Sequence, residues 1–351
     1  MRLHDMFIAS AGMYLPPRRT LDEAIALGEA DESDREELSV TAVRVAGNTP
    51  AADLAVRATR EVVERAGTQA ARDVDAFFYV TGWHQGPEGW SPQFYVLRHG
   101  LGRDIPAFEV RQGCNGFVAA LELAASYLLA SPDRTAALIA AAENFETPLV
   151  DRWHSSPASA FGDGATALML SRREGFARLL AVTLTSITEL EESDRYGEQM
   201  HPPGITLGVL ADHRVRARRY IDSFTSGMPP LFMLLPAAMT KTIEQCAADA
   251  GIAVTDIKRV CHVNVNDGFL KRFVLEPLGL DPSIGTMDFG RQNGHMTASD
   301  TIASFTHLVE TRQVGPGDHV LLFTSAPGQS IACALIRIDE DPGWPVPAEG
   351  R

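Results

Sequence analysis

At 351 residues the chain has room for two domain-sized units and a substantial core. Its 45% hydrophobic and 22% charged residues are those of an ordinary globular protein, and 45 acidic against 31 basic side chains, net −14, argue against general nucleic-acid binding while leaving room for a local basic patch. The four cysteines, Cys114, Cys246, Cys261 and Cys333, have no paired spacing, so neither a disulfide framework nor a zinc site is expected, and the compartment is expected to be reducing.

Met6-Phe7-Ile8-Ala9 reads as a first strand, because it lacks the basic start, long apolar centre and cleavage site of a signal peptide. No apolar stretch is long enough for a bilayer, so the expectation is a cytoplasmic protein without a membrane partner. Leu21–Glu37 predicts an acidic helix with a solvated face. Thr49 to Gly67 carries apolar residues at helical spacing with a glycine just past the end, followed by the buried strand Ala76–Val80. The aromatics between Trp83 and Phe94 are a candidate interface and pocket wall. Strand-like Ala107–Val110 leads into Gly113-Cys114-Asn115-Gly116, and Val118–Ala130 continues as a nearly all-apolar helix.

The second half returns to these patterns. Met233–Gly251 and the strand Arg259–Val263 match the first helix and strand. Gly113-Cys114, its helix and the strand Thr135–Ala140 match Gly294-His295, its helix and the strand His319–Phe323. Alternating helices and buried strands in two copies predict a duplicated α/β protein with mostly parallel sheets, divided at 1–178 and 179–351. Thr185 to Pro230 has no periodicity and reads as an irregular insertion, holding four carboxylates between Glu189 and Asp194 and then Arg214, Arg216, Arg218 and Arg219. That basic cluster fits either an acidic carrier protein or a solvated helix face.

A thiol between two glycines at a helix mouth lies where unpaired N–H groups and the helix dipole favour the thiolate. Gly113-Cys114-Asn115-Gly116-Phe117, Phe161-Gly162-Asp163-Gly164-Ala165, and Gly317 to Phe323 followed by Gly328 resemble, in order, ketoacyl-acyl carrier protein synthase III and its relatives in the thiolase superfamily. The resemblance implies the five-layered α/β/α/β/α thiolase fold, a homodimer, and Cys114 as nucleophile. It implies no cofactor. The Asp-Glu-Trp and Arg-Thr-Gly-Ile segments of enzymes loaded from coenzyme A are not legible, which favours an acylated carrier protein as donor over a coenzyme A thioester.

Decarboxylating members add a histidine and an asparagine. By position Asn264 replaces the histidine, with His262 two residues earlier on the same strand face, and His295 replaces the asparagine. This pattern is similar to the stand-alone acyltransferases derived from ketosynthase III in antibiotic pathways, whose nucleophile, histidine and aspartate match Cys114, His295 and Asp300. A neutral His295 would serve as general base toward a hydroxyl. The N–H groups of Cys114 and Gly328 match the oxyanion donors, Asn264 is a candidate for orienting the thioester carbonyl or the acceptor, and Asp163 reads as structural. Five positions do not share one face of a regular helix, so Asp300 reaches His295 only if the histidine lies on the turn before the helix. The expected activity is acyl transfer from a carrier through Cys114 to a small-molecule hydroxyl, on a sugar or polyketide-like product, without decarboxylation. The alternatives are carrier-to-carrier transfer, a priming ketosynthase, or a non-catalytic ketosynthase-like partner.

Overall fold

In a computed structural model, which describes residues 1–347, the chain builds one nine-stranded mixed sheet and one short ribbon. The strands are β1 (Phe7–Tyr14), β2 (Arg18–Thr20), β3 (Ala42–Arg44), β4 (Val74–Thr81), β5 (Ala107–Arg111), β6 (Ala136–Glu143), β7 (Gly164–Ser171), β8 (Ala177–Ser186), β9 (Ile257–His262), β10 (His319–Ala326) and β11 (Ser330–Ile338). Four long helices cover them: α1 (Ala51–Arg72), α2 (Gly116–Leu129), α3 (Leu231–Ala250) and α4 (Asp300–Glu310).

The duplication is visible in the pairing. The first half runs β5-β4-β6-β7-β1, and from the opposite edge the second runs β9-β10-β11-β8. Both β4 with β6 and β9 with β10 are parallel, whereas both outer-to-inner pairs, β6 with β7 and β10 with β11, are antiparallel. Thus the expectation of a mostly parallel sheet is corrected: each half keeps a parallel outer portion and adds two antiparallel strands. The halves meet where β1 and β8 share two residue pairs, Phe7 with Arg178 and Ile8 with Ala177. The boundary drawn after residue 178 falls just inside β8, and residues 348–351 of the second unit lie outside the described residues.

Layering follows from which faces are apolar. α2 is apolar nearly all round because it is buried between the halves. Its Phe117 and Leu121 share one core with Ile302 and Phe305 of α4, Phe78 and Ile139 of the first half, and Val320 and Leu322 of the second. α1 closes the other face of the first half, and α3 that of the second. The result is helix, sheet, paired helices, sheet, helix, as expected.

Two local expectations change. The acidic helix ends at Leu27 because Gly28 takes a left-handed φ of 72°, and a short second helix follows at Asp34–Glu37. The segment after β8 is not wholly irregular: Asp212 caps a helix over His213–Asp222 that carries all four arginines.

Candidate functional site

Gly113 and Gly294, the residues before Cys114 and His295, both have left-handed φ, 54° and 70°. Each lets the chain turn sharply toward a buried helix, Gly113 from the end of β5 and Gly294 from the short helix Met287–Arg291, which a residue with a Cβ does at a cost. The two turns face each other across 181 positions, with Cys114 Sγ 3.1 Å from His295 Nε2.

His295 lies on the turn before α4, which is the condition that lets Asp300 reach it. Asp300 Oδ2 sits 2.5 Å from His295 Nδ1 and accepts the backbone N–H of Asn264 at 2.8 Å, while Oδ1 accepts from Met296 N at 2.7 Å and Asn264 Nδ2 at 3.0 Å. Four donors on a fully buried carboxylate leave it no freedom to rotate, so Nε2 is directed at the sulfur. The backbone of His295 is held as well: its N–H donates to Ala160 O at 2.8 Å and its carbonyl accepts from Gly162 N at 3.0 Å. A Cβ on Gly162 would stand 2.1 Å from Asn293 O, so glycine is required there. Phe161 stacks on the imidazole with centroids 5.8 Å apart.

Burial of the ring favours the neutral imidazole, but the facing Cys114 and Asp300, through charge and hydrogen bonds, outweigh it and raise the His295 pKa well above the usual value. The expectation of a neutral histidine in the resting protein is therefore corrected. A helix start alone disfavours imidazolium, but hydrogen-bonding partners on both ring nitrogens act more strongly at this range.

Asn264 does not face the sulfur. Its side-chain amide donates to Gly294 O at 2.8 Å and to Asp300, so it stands behind the aspartate, and the expected contact with the thioester carbonyl or acceptor is corrected to support of Asp300. His262 is buried in one neutral tautomer, Nδ1–H donating to Val263 O at 2.8 Å and Nε2 accepting from Thr286 N at 3.1 Å. Burial lowers its pKa, so it is a structural residue.

The N–H of Gly328, expected to face the oxyanion, has a partner in this structure. It donates to Asp194 Oδ2 at 2.6 Å, and the Gln329 amide reaches the same oxygen at 3.0 Å. The donor matched to the oxyanion is thus taken by a carboxylate of the insertion. The N–H of Cys114 lies in the first turn, where helical N–H groups have no intrahelical acceptor. Asp163 is structural as expected, accepting both Arg152 guanidinium nitrogens at 2.9 and 3.0 Å and the N–H groups of Ala46 and Phe145.

A pocket of about 530 Å³, whose lining includes none of Cys114, His295 and Asp300, is walled by Trp83, Trp90 and Tyr95 with Gln85, Asn144 and Glu146. Trp83, Phe145 and Phe161 stack ring on ring from this pocket to His295, at 5.8, 4.5 and 5.8 Å. Trp83 and Trp90 therefore form a pocket wall. Among the described residues the only cluster with metal-ligand spacing is Asp31, Asp34 and His154, where Asp151 and Asp34 already occupy the two ring nitrogens at 2.9 and 3.2 Å. The same residues include no helix long and apolar enough to cross a membrane.

The chain matches known proteins along most of its length. Residues 108–187 match the model of 3-oxoacyl-[acyl-carrier-protein] synthase III, and residues 247–338 match its C-terminal model. The chain is 38% identical to a solved acyltransferase, ChlB3, with a TM-score of 0.90, covering 97% of this chain and 99% of that one. It is similar in fold to the 3-oxoacyl-[acyl-carrier-protein] synthase III of Aquifex aeolicus, at 20% identity and a TM-score of 0.77 over 95% of this chain and 99% of that one. It is 26% identical to the beta-ketoacyl-[acyl-carrier-protein] synthase III of Rhizorhabdus wittichii, over 92% of this chain and 96% of that protein.

Proposed function

The chain belongs to the ketoacyl-acyl carrier protein synthase III-like family of the thiolase superfamily, and from that premise we propose that it is an acyltransferase moving an acyl group from a carrier protein, through a Cys114 thioester, to a small-molecule hydroxyl without decarboxylation. The observation that carries this reading is the continuous Cys114–His295–Asp300 chain of contacts.

Cys114 Sγ attacks the thioester carbonyl as the thiolate while His295 Nε2 holds the proton. The N–H of Cys114 stabilises the tetrahedral oxyanion, and the N–H of Gly328 joins it only after Asp194 has let go. As the C–S bond to the carrier breaks, the departing thiolate takes the proton from Nε2. His295 is now neutral beside an uncharged acyl cysteine, and this is the stage at which it acts as general base. It takes the acceptor O–H proton as oxygen attacks the carbonyl, and the Cys114 thiolate leaves facing an imidazolium again. Each cycle returns the starting protonation state.

Decarboxylative condensation asks for two neutral donors on the enolate oxygen. Here Asn264 is turned away toward Asp300, and His295 holds its proton against the sulfur, which supports transfer over condensation. A carrier donor is supported by Arg218 and Arg219, which have no ion-pair partner among the described residues, on a helix packed over Ser155 in a chain of net charge −14. Intact-mass analysis of wild type and Cys114→Ala after mixing with acylated carrier protein tests the reading. It predicts an acyl adduct on wild type that a hydroxyl acceptor discharges, and none on the variant.

A further inference from the structure

Glu143 is a buried carboxyl that the steps above leave unused. It closes β6 and is 1% exposed. It accepts the N–H of Gly82 and the side-chain amide of Gln85, and Gln85 in turn accepts the N–H of Asn144 at 3.0 Å. Gly82 and Gln85 begin the segment that carries Trp83 and Trp90 into the pocket wall. A Cβ at position 82 would lie 3.0 Å from Glu143 Oε1 and 3.6 Å from Thr297 Oγ1, so the two side chains converge over the bare face of that glycine.

Thr297 is the other end of the connection. It lies between His295 and Asp300 and adopts a left-handed φ of 51°, a conformation that costs a β-branched residue on the order of 1–3 kcal/mol and persists only where its surroundings impose it. Its hydroxyl is buried and makes no hydrogen bond of its own, with the Glu143 carboxyl converging on the same face of Gly82. The neighbouring Ser299 rests on Ala141 O, so the same strand end supports the whole turn.

We infer that Glu143 is a positioning residue for the acyl-transfer reaction: it accepts from Gly82 and Gln85, takes the otherwise unpartnered Thr297 hydroxyl as its third partner, and so ties the His295 turn to the segment that carries the pocket wall. The inference rests on the reading that His295 activates Cys114. Burial raises the Glu143 pKa to about 8, although the hydrogen bonds from Gly82, Thr297 and Gln85 oppose it, and Asp163 adds to the rise. At neutral pH the carboxyl is then mostly protonated. Besides Asp163, the ionisable groups around it are the Tyr79 phenol on β4, whose own pKa is raised by burial, and His295 beyond Thr297. Ionisation places a negative charge in a site shut off from the surface.

The test is the rate of iodoacetamide alkylation of Cys114 from pH 6 to 10, with kcat and KM for the acylated carrier, in wild type, Glu143→Gln, Thr297→Val and His295→Asn. A displaced catalytic group of this kind costs about tenfold to a hundredfold. Glu143→Gln is expected to slow neutral-pH alkylation and kcat by that amount with the carrier KM within twofold, and Thr297→Val to act in the same direction. The wild-type bend in kcat near pH 8 should vanish in Glu143→Gln. Loss of thermal stability with wild-type alkylation and kcat in both variants overturns the inference; if Glu143→Gln fails to fold, Thr297→Val decides. His295→Asn separates the two ideas, since a wild-type alkylation profile in that variant would contradict the activation of Cys114 itself.

Discussion

The two halves of the molecule present the same backbone device with different chemistry. In the first half a complete strand, β5, runs parallel to β4 and delivers Cys114 to a turn opened by Gly113. In the second half the equivalent place beside β9 is reduced to one bridge, Val260 with Gly285, and the chain reaches the His295 turn through the short helix Met287–Arg291. The first turn is braced by the sheet. The second is braced by side chains, Asp300 and Asn264 behind His295, whereas beside Cys114 the buried Asn115 side chain is tied to Ser330 and Thr324 of the sheet. The lesson is that a duplicated frame fixes where two groups meet, and side-chain contacts around one copy decide what they do.

Removing either reacting group breaks the comparison most severely. Cys114→Ala is expected to abolish the acyl adduct and turnover, read by intact mass. His295→Asn is expected to slow ester formation by about a hundredfold to ten-thousandfold, the range for a lost general base, read by product chromatography. Bracing the second turn less well sharpens it. Asp300→Asn removes one of the two groups that raise the His295 pKa, so the limb where donor reactivity falls with rising pH should move to lower pH, and the rate below it should drop. The sign follows because the protonated histidine is needed to release the carrier thiol, and that form is lost as pH rises through its pKa. The braced first half is probed by Gly116→Ala, whose Cβ would stand 2.4 Å from Val80 Cγ1; a loss of about 1–3 kcal/mol by denaturant unfolding is expected, with a smaller effect on chemistry. The smallest effect concerns the open edge of β5, where Phe108 is 42% exposed. We expect this edge to pair with a second copy, so sedimentation should give a dimer and Phe108→Asp should raise its dissociation constant.

The duplication was legible in the sequence because helix and strand patterns recur in the same order, and it placed Cys114 opposite His295 without knowledge of side-chain positions. Asp300 was legible through the family pattern, with the helical geometry stating the condition it had to meet. Asn264 was misread because its role depends on where the chain turns after β9, which a strand pattern does not reveal. The bond from the Gly328 N–H to Asp194 was not legible because Asp194 lies in a segment with no periodicity. Glu143 ends an apolar run, and its donors lie about sixty positions away in a loop, so nothing local to it signals a contact with the catalytic turn.

The central claim is that the opposed turns transfer an intact acyl group. The most direct measurement uses malonyl carrier protein labelled at its free carboxyl carbon, with labelled carbon dioxide counted beside the intact mass of the enzyme. We predict a whole malonyl group on Cys114, carried unchanged to a hydroxyl acceptor, with no labelled carbon dioxide above the rate without enzyme. Carbon dioxide released in step with turnover would contradict it and show a condensing enzyme.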